Sequence, residues 1–352
     1  MNVRTGLIRG ARSTLLWGIV SFVIIQSVLT ALLQTWRPQP AYDPEYAYKI
    51  SHLRARLSET SANAPLVLLF GSSRMATGVR PETLSSPPAG GARIFNLGIC
   101  RWVTPGQQLI ALQRLFQNGI RPDYALFELF PAYLYSDREQ IDTLDPARLS
   151  WEDLEAIRPY ATHPREQRAN WAIARSVPAF SERFLLLSRY APQWVDRNRF
   201  ADFNWGHIDE WGWTYFSNLN VSYGVTKQLA DRYRPFFQHS RVSATSQQIL
   251  TDIIGICRGH HVTPGFILMP EHSQFRSWYT DASEQRLHTS LQKLGVNSGL
   301  LSVDARAWMR DEDFVEGVHL THAGAVVFTQ LVDERVWEPL LTTHGRANAM
   351  SY

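Results

Sequence analysis

The run PLVLLFGSSR, at positions 65–74, decides the fold. Its five central residues, 66–70, are all apolar, with no alternating polar position. That pattern predicts a strand buried on both faces, as in the centre of a parallel sheet. Gly71 closes the run, and serines are favoured where a helix begins. We therefore expect a strand, a tight turn and a helix, with Ser72 and Ser73 at the carboxyl edge of the sheet.

Similar apolar runs recur along the chain and alternate with helix-like stretches. Strands are predicted at 93–97, 123–130, 264–269 and 299–303. Helices are predicted at 47–58, 105–117, 243–258, 283–294 and 322–335, the last with Thr321 as its N-cap. Alternation of strand and helix is typical of an α/β fold whose parallel sheet is covered on both faces.

The alternation stops between residues 131 and 240, where the chain is rich in tryptophan, tyrosine, phenylalanine and arginine. This segment has no clear buried strand. We interpret it as a helical, aromatic insertion packed over the carboxyl edge of the sheet. Two interpretations of its aromatic residues stay open at this point: they shape a pocket for a sugar or an acyl group, or they form a satellite core.

The amino-terminal region predicts a membrane anchor. Residues 14–33 carry no charge, and as a helix they span about 30 Å, the thickness of a bilayer core. Arg4, Arg9 and Arg12 precede them, which places the amino terminus in the cytoplasm. A cleaved signal peptide is the alternative. Either interpretation puts the rest of the chain outside the cytoplasm.

These features divide the chain into four parts: 1–36, a cytoplasmic stub with the anchor; 37–60, a linker and a lead-in helix; 61–340, the main domain with its insertion at 131–240; and 341–352, a tail. The net charge of +3 and the lack of a basic run exclude an obvious nucleic-acid surface. No nucleotide-binding motif or metal-ligand spacing occurs, so we expect no cofactor and no metal. Cys100 and Cys257 are compatible with one disulfide or with two buried thiols.

The carboxyl-terminal motif EGVH, at positions 316–319, supplies partners for a serine nucleophile. An acid three residues before a histidine in a loop can reach the imidazole. It fixes the tautomer while the second ring nitrogen accepts the serine proton. The sequence therefore predicts a Ser–His–acid site of Ser73, His319 and Glu316.

The two end motifs together resemble those of the SGNH/GDSL hydrolase superfamily. Residues 71–74 stand where that family has Gly-Asp-Ser, which makes Ser73 the matching nucleophile and puts Ser72 in the aspartate position. Residues 316–319 match the family's Asp-x-x-His block with Glu for Asp, and 95–98 (FNLG) resemble its second block. The resemblance covers about residues 60–340. It implies a flavodoxin-like three-layer sandwich with a five-stranded parallel sheet.

The resemblance also implies which residues surround the oxyanion. They are Ser72, Arg74, Asn96, Gly98 and Arg101. Arg101 stands where the second block usually has a glycine. The third block usually carries an asparagine, whereas this chain has ELFP at 128–131. The resemblance therefore leaves one oxyanion donor missing or supplied from elsewhere.

The motifs GSSR and HLTHAGA are most similar to those of membrane-anchored members that resemble alginate O-acetylation and D-alanyl-lipoteichoic-acid transfer proteins. This similarity implies an acyl esterase or O-acyltransferase that acts on an acylated glycan or cell-surface polymer. It also implies a place in the bacterial inner membrane, with the domain on the periplasmic or extracellular side and a membrane-bound O-acyltransferase as partner. Glu271 and Arg276 follow the fourth predicted strand at the same edge of the sheet, where they are candidate substrate-binding residues or form a structural ion pair. A non-catalytic scaffold or glycan-binding component is the alternative.

Overall fold

The computed structural model describes residues 3–35, 43–59, 64–84, 92–100, 104–134, 141–195, 207–215, 225–238, 242–295 and 300–341. Its centre is a five-stranded sheet in which every pairing is parallel. The strands are β1 (Leu66–Phe70), β2 (Arg93–Asn96), β3 (Tyr124–Leu129), β4 (Thr263–Leu268) and β5 (Leu301–Asp304). The predicted α/β class and the five predicted parallel strands are confirmed.

The strands lie in the order β2-β1-β3-β4-β5. In a doubly wound sheet of this order, β2 is added on one side of β1 and the later strands on the other, so the strand order reverses between β1 and β3. Ligands bind outside the carboxyl ends of the strands at that point. Phe70 pairs with Phe127 and Leu69 pairs with Asn96, so the residues that follow β1, β2 and β3 meet at one edge. The serines after β1 lie at this edge.

The helices account for most of the remaining described residues. They are α1 (Val3–Thr35), α2 (Pro44–Glu59), α3 (Ser73–Gly78), α4 (Pro105–Gln117), α5 (Pro131–Leu134), α6 (Trp151–Ile157), α7 (Pro164–Ser176), α8 (Pro178–Ser181), α9 (Arg183–Tyr190), α10 (Lys227–Gln238), α11 (Ala244–Gly259), α12 (Ser273–Arg276), α13 (Asp281–Lys293) and α14 (His322–Val332). The predicted N-cap is confirmed, since the Thr321 side chain accepts a hydrogen bond from the Gly324 N–H. A short antiparallel pair, β6 (Phe314–Val315) and β7 (His319–Leu320), leads into α14.

The unbroken apolar run of β1 is explained by burial on both faces of the sheet. Leu66, Leu68 and Phe70 belong to a core shared with α4, α11 and α13, whereas Val67 and Leu69 belong to a second core shared with α14. Every residue of β1 is buried. Helices therefore cover both faces of the sheet.

The described parts of the insertion at 131–240 contain α5 to α10 and short 3₁₀ turns, together with a non-helical segment, 207–215, closed by an antiparallel bridge between Ile208 and Thr214. One of its segments, 207–215, packs beside α3. Thr214 N–H donates to the Ala76 carbonyl at 3.0 Å, and the Trp213 indole N–H donates to the Thr77 carbonyl at 2.8 Å. The insertion thus contacts the helix that carries Ser73.

Helix α1 contains the stretch Ala11–Leu33, which is long and apolar enough to cross a membrane; a signal sequence near an N-terminus would meet the same criteria. Most of its side chains are exposed. Cys100 and Cys257 are both free thiols, so of the two alternatives that the sequence left open, the disulfide is not formed.

Candidate active site

The turn between β1 and α3 places Ser73 at the first residue of the helix. Ser72 is the N-cap, and its Oγ accepts a hydrogen bond from the Arg74 N–H. Gly71 is required here: a Cβ at this position would lie 2.5 Å from the Glu128 Oε2 and 2.6 Å from the Met75 Cβ. Because Gly71 has no side chain, the turn can pack directly against Glu128 of β3. This packing sets the orientation of the Ser73 side chain.

His319 approaches Ser73 from the carboxyl-terminal end of the chain. It begins β7, whose pairing with β6 and continuation into α14 fix the backbone on both sides. The Ser73 Oγ lies 2.8 Å from the His319 Nε2. A separation of this length is that of a hydrogen bond. It allows the serine hydroxyl to transfer its proton to the imidazole base.

The environment of His319 keeps its imidazole neutral. Burial disfavours the charged ring, and the nearby Arg74 guanidinium repels it, which together lower the His319 pKa to about 4. Above that pH the ring has one nitrogen able to accept a proton. His319 is therefore in the form that a general base needs.

Glu316 lies in the turn between β6 and β7, in the left-handed region of backbone conformation with φ of 55°. Burial raises the pKa of its carboxyl group. In the part of the chain that the structure describes, no hydrogen bond or ion pair joins Glu316 to His319. The structure brings together Ser73 and His319 and does not bring Glu316 to the imidazole, so an orienting role for Glu316 stays a prediction.

Glu128, at the end of β3, is a supporting residue that sequence reasoning missed. Its Oε2 accepts a hydrogen bond from the Ser72 N–H at 2.6 Å, and its Oε1 accepts one from the Ser72 hydroxyl at 3.0 Å. The side chain is almost completely buried. Glu128 stands in the segment where the resemblance led us to look for an asparagine, and here the acid anchors the turn that carries Ser73. The sequence feature that could have identified Glu128 is its position as a charged residue within an otherwise apolar strand.

Arg74 ties together the carboxyl ends of the strands. Its Nη2 donates to the carbonyls of Met269 at 3.1 Å and Pro270 at 2.6 Å. The guanidinium lies 4.4 Å from the centre of the Phe130 ring and 3.9 Å from the Glu128 carboxylate. Arg74 is 5% exposed. Buried arginines of this kind need counter-charges, which Glu128 supplies from β3.

Glu271, predicted to bind substrate, belongs to the same buried cluster. Its carboxylate lies 4.0 Å from the Arg74 guanidinium and accepts a hydrogen bond from the Tyr279 hydroxyl at 3.0 Å. Desolvation raises its pKa, against the opposing effect of the neighbouring arginines. Arg276, the second predicted substrate residue, instead donates to the backbone carbonyls of Glu271 and Arg306. Arg276 therefore holds the loop after β4 in place.

Asn96 and Gly98, which were expected around the oxyanion, form hydrogen bonds within the fold instead. The Asn96 amide donates to the carbonyls of Met75 at 2.8 Å and Val79 at 2.6 Å, and its Oδ1 accepts the Gly98 N–H at 2.8 Å. Asn96 and Gly98 thus brace α3 against β2. Arg101 lies outside the described residues.

The described residues contain no group of three or more metal-ligating side chains arranged to hold an ion. Comparison with known proteins adds no identification: no protein-family model matches the chain, and no curated protein sequence matches it. The inferences about function therefore rest on the residues and on the geometry of the site.

The low pKa of His319 leads to a prediction about pH. A neutral imidazole accepts the Ser73 proton, so the rate of Ser73 acylation should rise as pH increases through about 4 and then stay level to pH 8. The measurement is the rate of fluorophosphonate labelling between pH 3 and 9, with circular dichroism to confirm that the protein stays folded. A midpoint near 6.5 would show that the imidazole is not desolvated as described.

The separation of Glu316 from His319 leads to a second prediction. Where an acid orients the catalytic histidine, its neutral analogue lowers turnover by about 10⁴-fold. Because no hydrogen bond or ion pair joins the two residues in the described part of the chain, and neither affects the pKa of the other, we expect Glu316→Gln to lower the rate of Ser73 acylation by less than about tenfold. The rate of fluorophosphonate labelling of Glu316→Gln measures this effect. A loss near 10⁴-fold would mean that the β6–β7 turn moves during the reaction and that Glu316 then orients His319.

Proposed function

We propose that this chain is an SGNH-type acyl esterase or O-acyltransferase that acts on an acylated cell-surface or exported polysaccharide. The observation that carries the proposal is the hydrogen bond of 2.8 Å between the Ser73 Oγ and the His319 Nε2, at the carboxyl edge of an all-parallel sheet. The order of strands and the GSSR and EGVH motifs support assignment to the SGNH fold.

The proposed reaction proceeds through an acylated Ser73. The Ser73 Oγ bonds to the acyl carbonyl carbon as its proton passes to the His319 Nε2. The tetrahedral intermediate then expels the sugar oxygen, which takes the proton from the imidazolium and leaves as a hydroxyl. In the second half, water or an acceptor hydroxyl gives its proton to His319 and attacks the acyl carbon. The second tetrahedral intermediate expels the Ser73 Oγ, which takes the proton from the His319 imidazolium, and a carboxylic acid or a new ester is released.

We further propose that α1 anchors the protein in the bacterial cytoplasmic membrane, with the α/β domain on the periplasmic or extracellular side. The three arginines before the apolar stretch support this orientation. A membrane-bound O-acyltransferase is the proposed partner, since a domain next to the bilayer can receive an acyl group there. The aromatic insertion beside α3 is the proposed contact for the polymer.

One observation favours a second candidate function, a scaffold or glycan-binding protein without turnover. Asn96 and Gly98, the two residues of the second block that the resemblance places around the oxyanion, are engaged in hydrogen bonds with each other and with α3. Loss of a single oxyanion donor typically lowers turnover by about 10²- to 10³-fold. A site that lacks these donors would be slow or inactive.

The experiment is acyl release by the purified, membrane-reconstituted chain. We expect release of acetate from an acetylated polysaccharide, or transfer of acetyl to an added polymer, that disappears in Ser73→Ala. The matched control is Ser51→Ala, because Ser51 is an exposed serine of α2. Equal activity of Ser73→Ala and the wild type would refute the mechanism. No activity in the folded wild type on any acyl ester would favour the scaffold.

A further inference from the structure

Helix α1 packs against the insertion along one face only. Gln26 and Leu33 are buried, and Leu29 and Thr30 are half-buried, while their neighbours on the other faces are exposed. This spacing places all four on one side of the helix. The contact is specific, because the Ala179 N–H of α8 donates a hydrogen bond to the Gln26 Oε1 at 3.1 Å.

The position of Gln26 sets the depth of α8 relative to the bilayer. Gln26 precedes Leu33, the last residue of the apolar stretch, by two helical turns, which is about 10 Å along the axis. Segments that lie in the membrane interface enter the boundary between headgroups and acyl chains by about 5–10 Å. If α1 spans the bilayer, α8 is therefore level with this boundary on the outer side.

The surface around α8 has the composition of a membrane interface. Ile173 of α7 is 59% exposed and Phe180 of α8 is 63% exposed. The Arg183 guanidinium lies 4.1 Å from the centre of the Phe180 ring and 4.5 Å from that of Phe184. Aromatic rings with arginines beside them are typical of side chains that place an apolar body in lipid and a charge at the headgroups.

A cavity of about 450 Å³ opens at the same place, between the 3₁₀ turn Pro146–Arg148 and helices α7 to α9. The residues that line it include Arg148 and Arg183, the acidic residues Asp145 and Glu182, and the apolar residues Ile173 and Phe180. Asp145 pairs with Arg148 at 3.4 Å. Within the described part of the chain, Arg183 forms no ion pair with a carboxylate, and its Nη1 donates a hydrogen bond to the Phe180 carbonyl at 2.5 Å. Arginine groups recognise phosphate, and the carboxylates complement an ammonium group.

We propose that this cavity binds the headgroup of a zwitterionic phospholipid of the bilayer that α1 spans, with Ile173 and Phe180 in the adjoining acyl region. Arg183 and Arg148 bind the phosphate, and Asp145 and Glu182 face the ammonium group. The bound lipid fixes the α/β domain at a constant height and orientation above the membrane. This inference rests on the proposed membrane location and is independent of the chemistry at Ser73.

The test measures the depth of Phe180 in lipid nanodiscs that contain the full chain and no other protein. Phe180 is replaced by p-acetylphenylalanine, an aromatic residue whose ketone is then coupled to a nitroxide label. This chemistry leaves both cysteines unmodified. The control label stands at Val327, an exposed residue of α14 on the opposite face of the sheet. We expect the label at 180 to be accessible to oxygen and protected from a water-soluble nickel complex, and the label at 327 to show the reverse.

Native mass spectrometry of the same chain, released from nanodiscs of mixed phosphatidylethanolamine and phosphatidylglycerol, tests the headgroup. We expect retained phosphatidylethanolamine in the wild type and a loss of at least fivefold in Arg183→Gln. A water-exposed label at 180 overturns the inference. Equal retention in Arg183→Gln, or preference for phosphatidylglycerol, overturns the assigned headgroup contacts. A chain that does not stay in the nanodisc refutes the membrane location itself, whereas loss of activity in Ser73→Ala bears only on the catalytic proposal.

Discussion

The substitution His319→Ala is expected to lower the rate at which Ser73 is acylated by about 10⁴- to 10⁶-fold. The Ser73 hydroxyl is a weak nucleophile unless a base accepts its proton, and the His319 Nε2, at 2.8 Å, is the base that the structure provides. The measurement is the rate constant for reaction with an activated acyl ester or a fluorophosphonate, under conditions where the wild-type reaction is complete within minutes.

The matched control for this prediction is His322→Ala. His322 belongs to the same motif but is exposed, and its Nε2 contacts the Arg80 guanidinium at 3.0 Å instead of Ser73. We expect this substitution to change the acylation rate by less than about threefold. Similar losses from the two alanine variants would indicate damage to the β6–β7 hairpin and α14 instead of removal of a base.

The second large effect is expected from Glu128→Ala, and it acts on stability. The substitution removes the acceptor of two hydrogen bonds from Ser72 and a counter-charge of the buried Arg74. Breaking a buried pair typically costs about 3–5 kcal/mol. Glu271 stays 4.0 Å from Arg74 in the variant, but both buried Ser72 donors lose their acceptor. We therefore expect the free energy of unfolding to fall by about 4 kcal/mol and Tm to fall by roughly 10 °C.

Thermal and urea unfolding of the α/β domain measure this effect. The control is Glu155→Ala, since Glu155 also pairs with an arginine, Arg168, at 2.6 Å, but at a half-exposed site. Exposed pairs contribute about 0–1 kcal/mol, so this control should unfold within about 3 °C of the wild type. Equal shifts in the two variants would contradict the assignment of Glu128 as a buried anchor of the Ser73 turn.

The sheet was predictable because strands that are buried on both faces consist of continuous apolar residues. An apolar run such as 66–70, closed by Gly71, has no polar face to expose, and the five predicted strands agree with the structure to within a few residues. Helix ends were also predictable where a side chain caps the backbone, as Thr321 does. The order of the strands does not follow from these local patterns, because it depends on how the crossovers pack.

Within the candidate site, the approach of Ser73 and His319 was predictable from the GSSR motif after a buried strand and the EGVH motif near the carboxyl terminus. The position of Glu316 was not, because contacts from distant segments set the turn that holds it. Gly317, at φ of 73°, packs against Val225 of the insertion, whose backbone and side chain fill the space that a Cβ would occupy. No pattern near position 316 reveals this neighbour.

The direction of the Arg74 side chain was also not predictable from the sequence. A long side chain after the nucleophile can extend to solvent, to substrate or inward. The partners that direct it inward are Glu128 of β3 and two carbonyls after β4, which are far away in sequence. The charged residue in the apolar strand β3 was visible in the sequence, but its function depends on the arginine that it faces.

Fluorophosphonate labelling of the intact, folded chain measures whether Ser73 is an activated nucleophile. We expect one phosphonyl group per chain, located on Ser73 by peptide mass mapping, with no labelling of Ser73→Ala and slow labelling of His319→Ala. Labelling of another residue, or no labelling of a wild-type protein whose unfolding is cooperative, would contradict this role of Ser73.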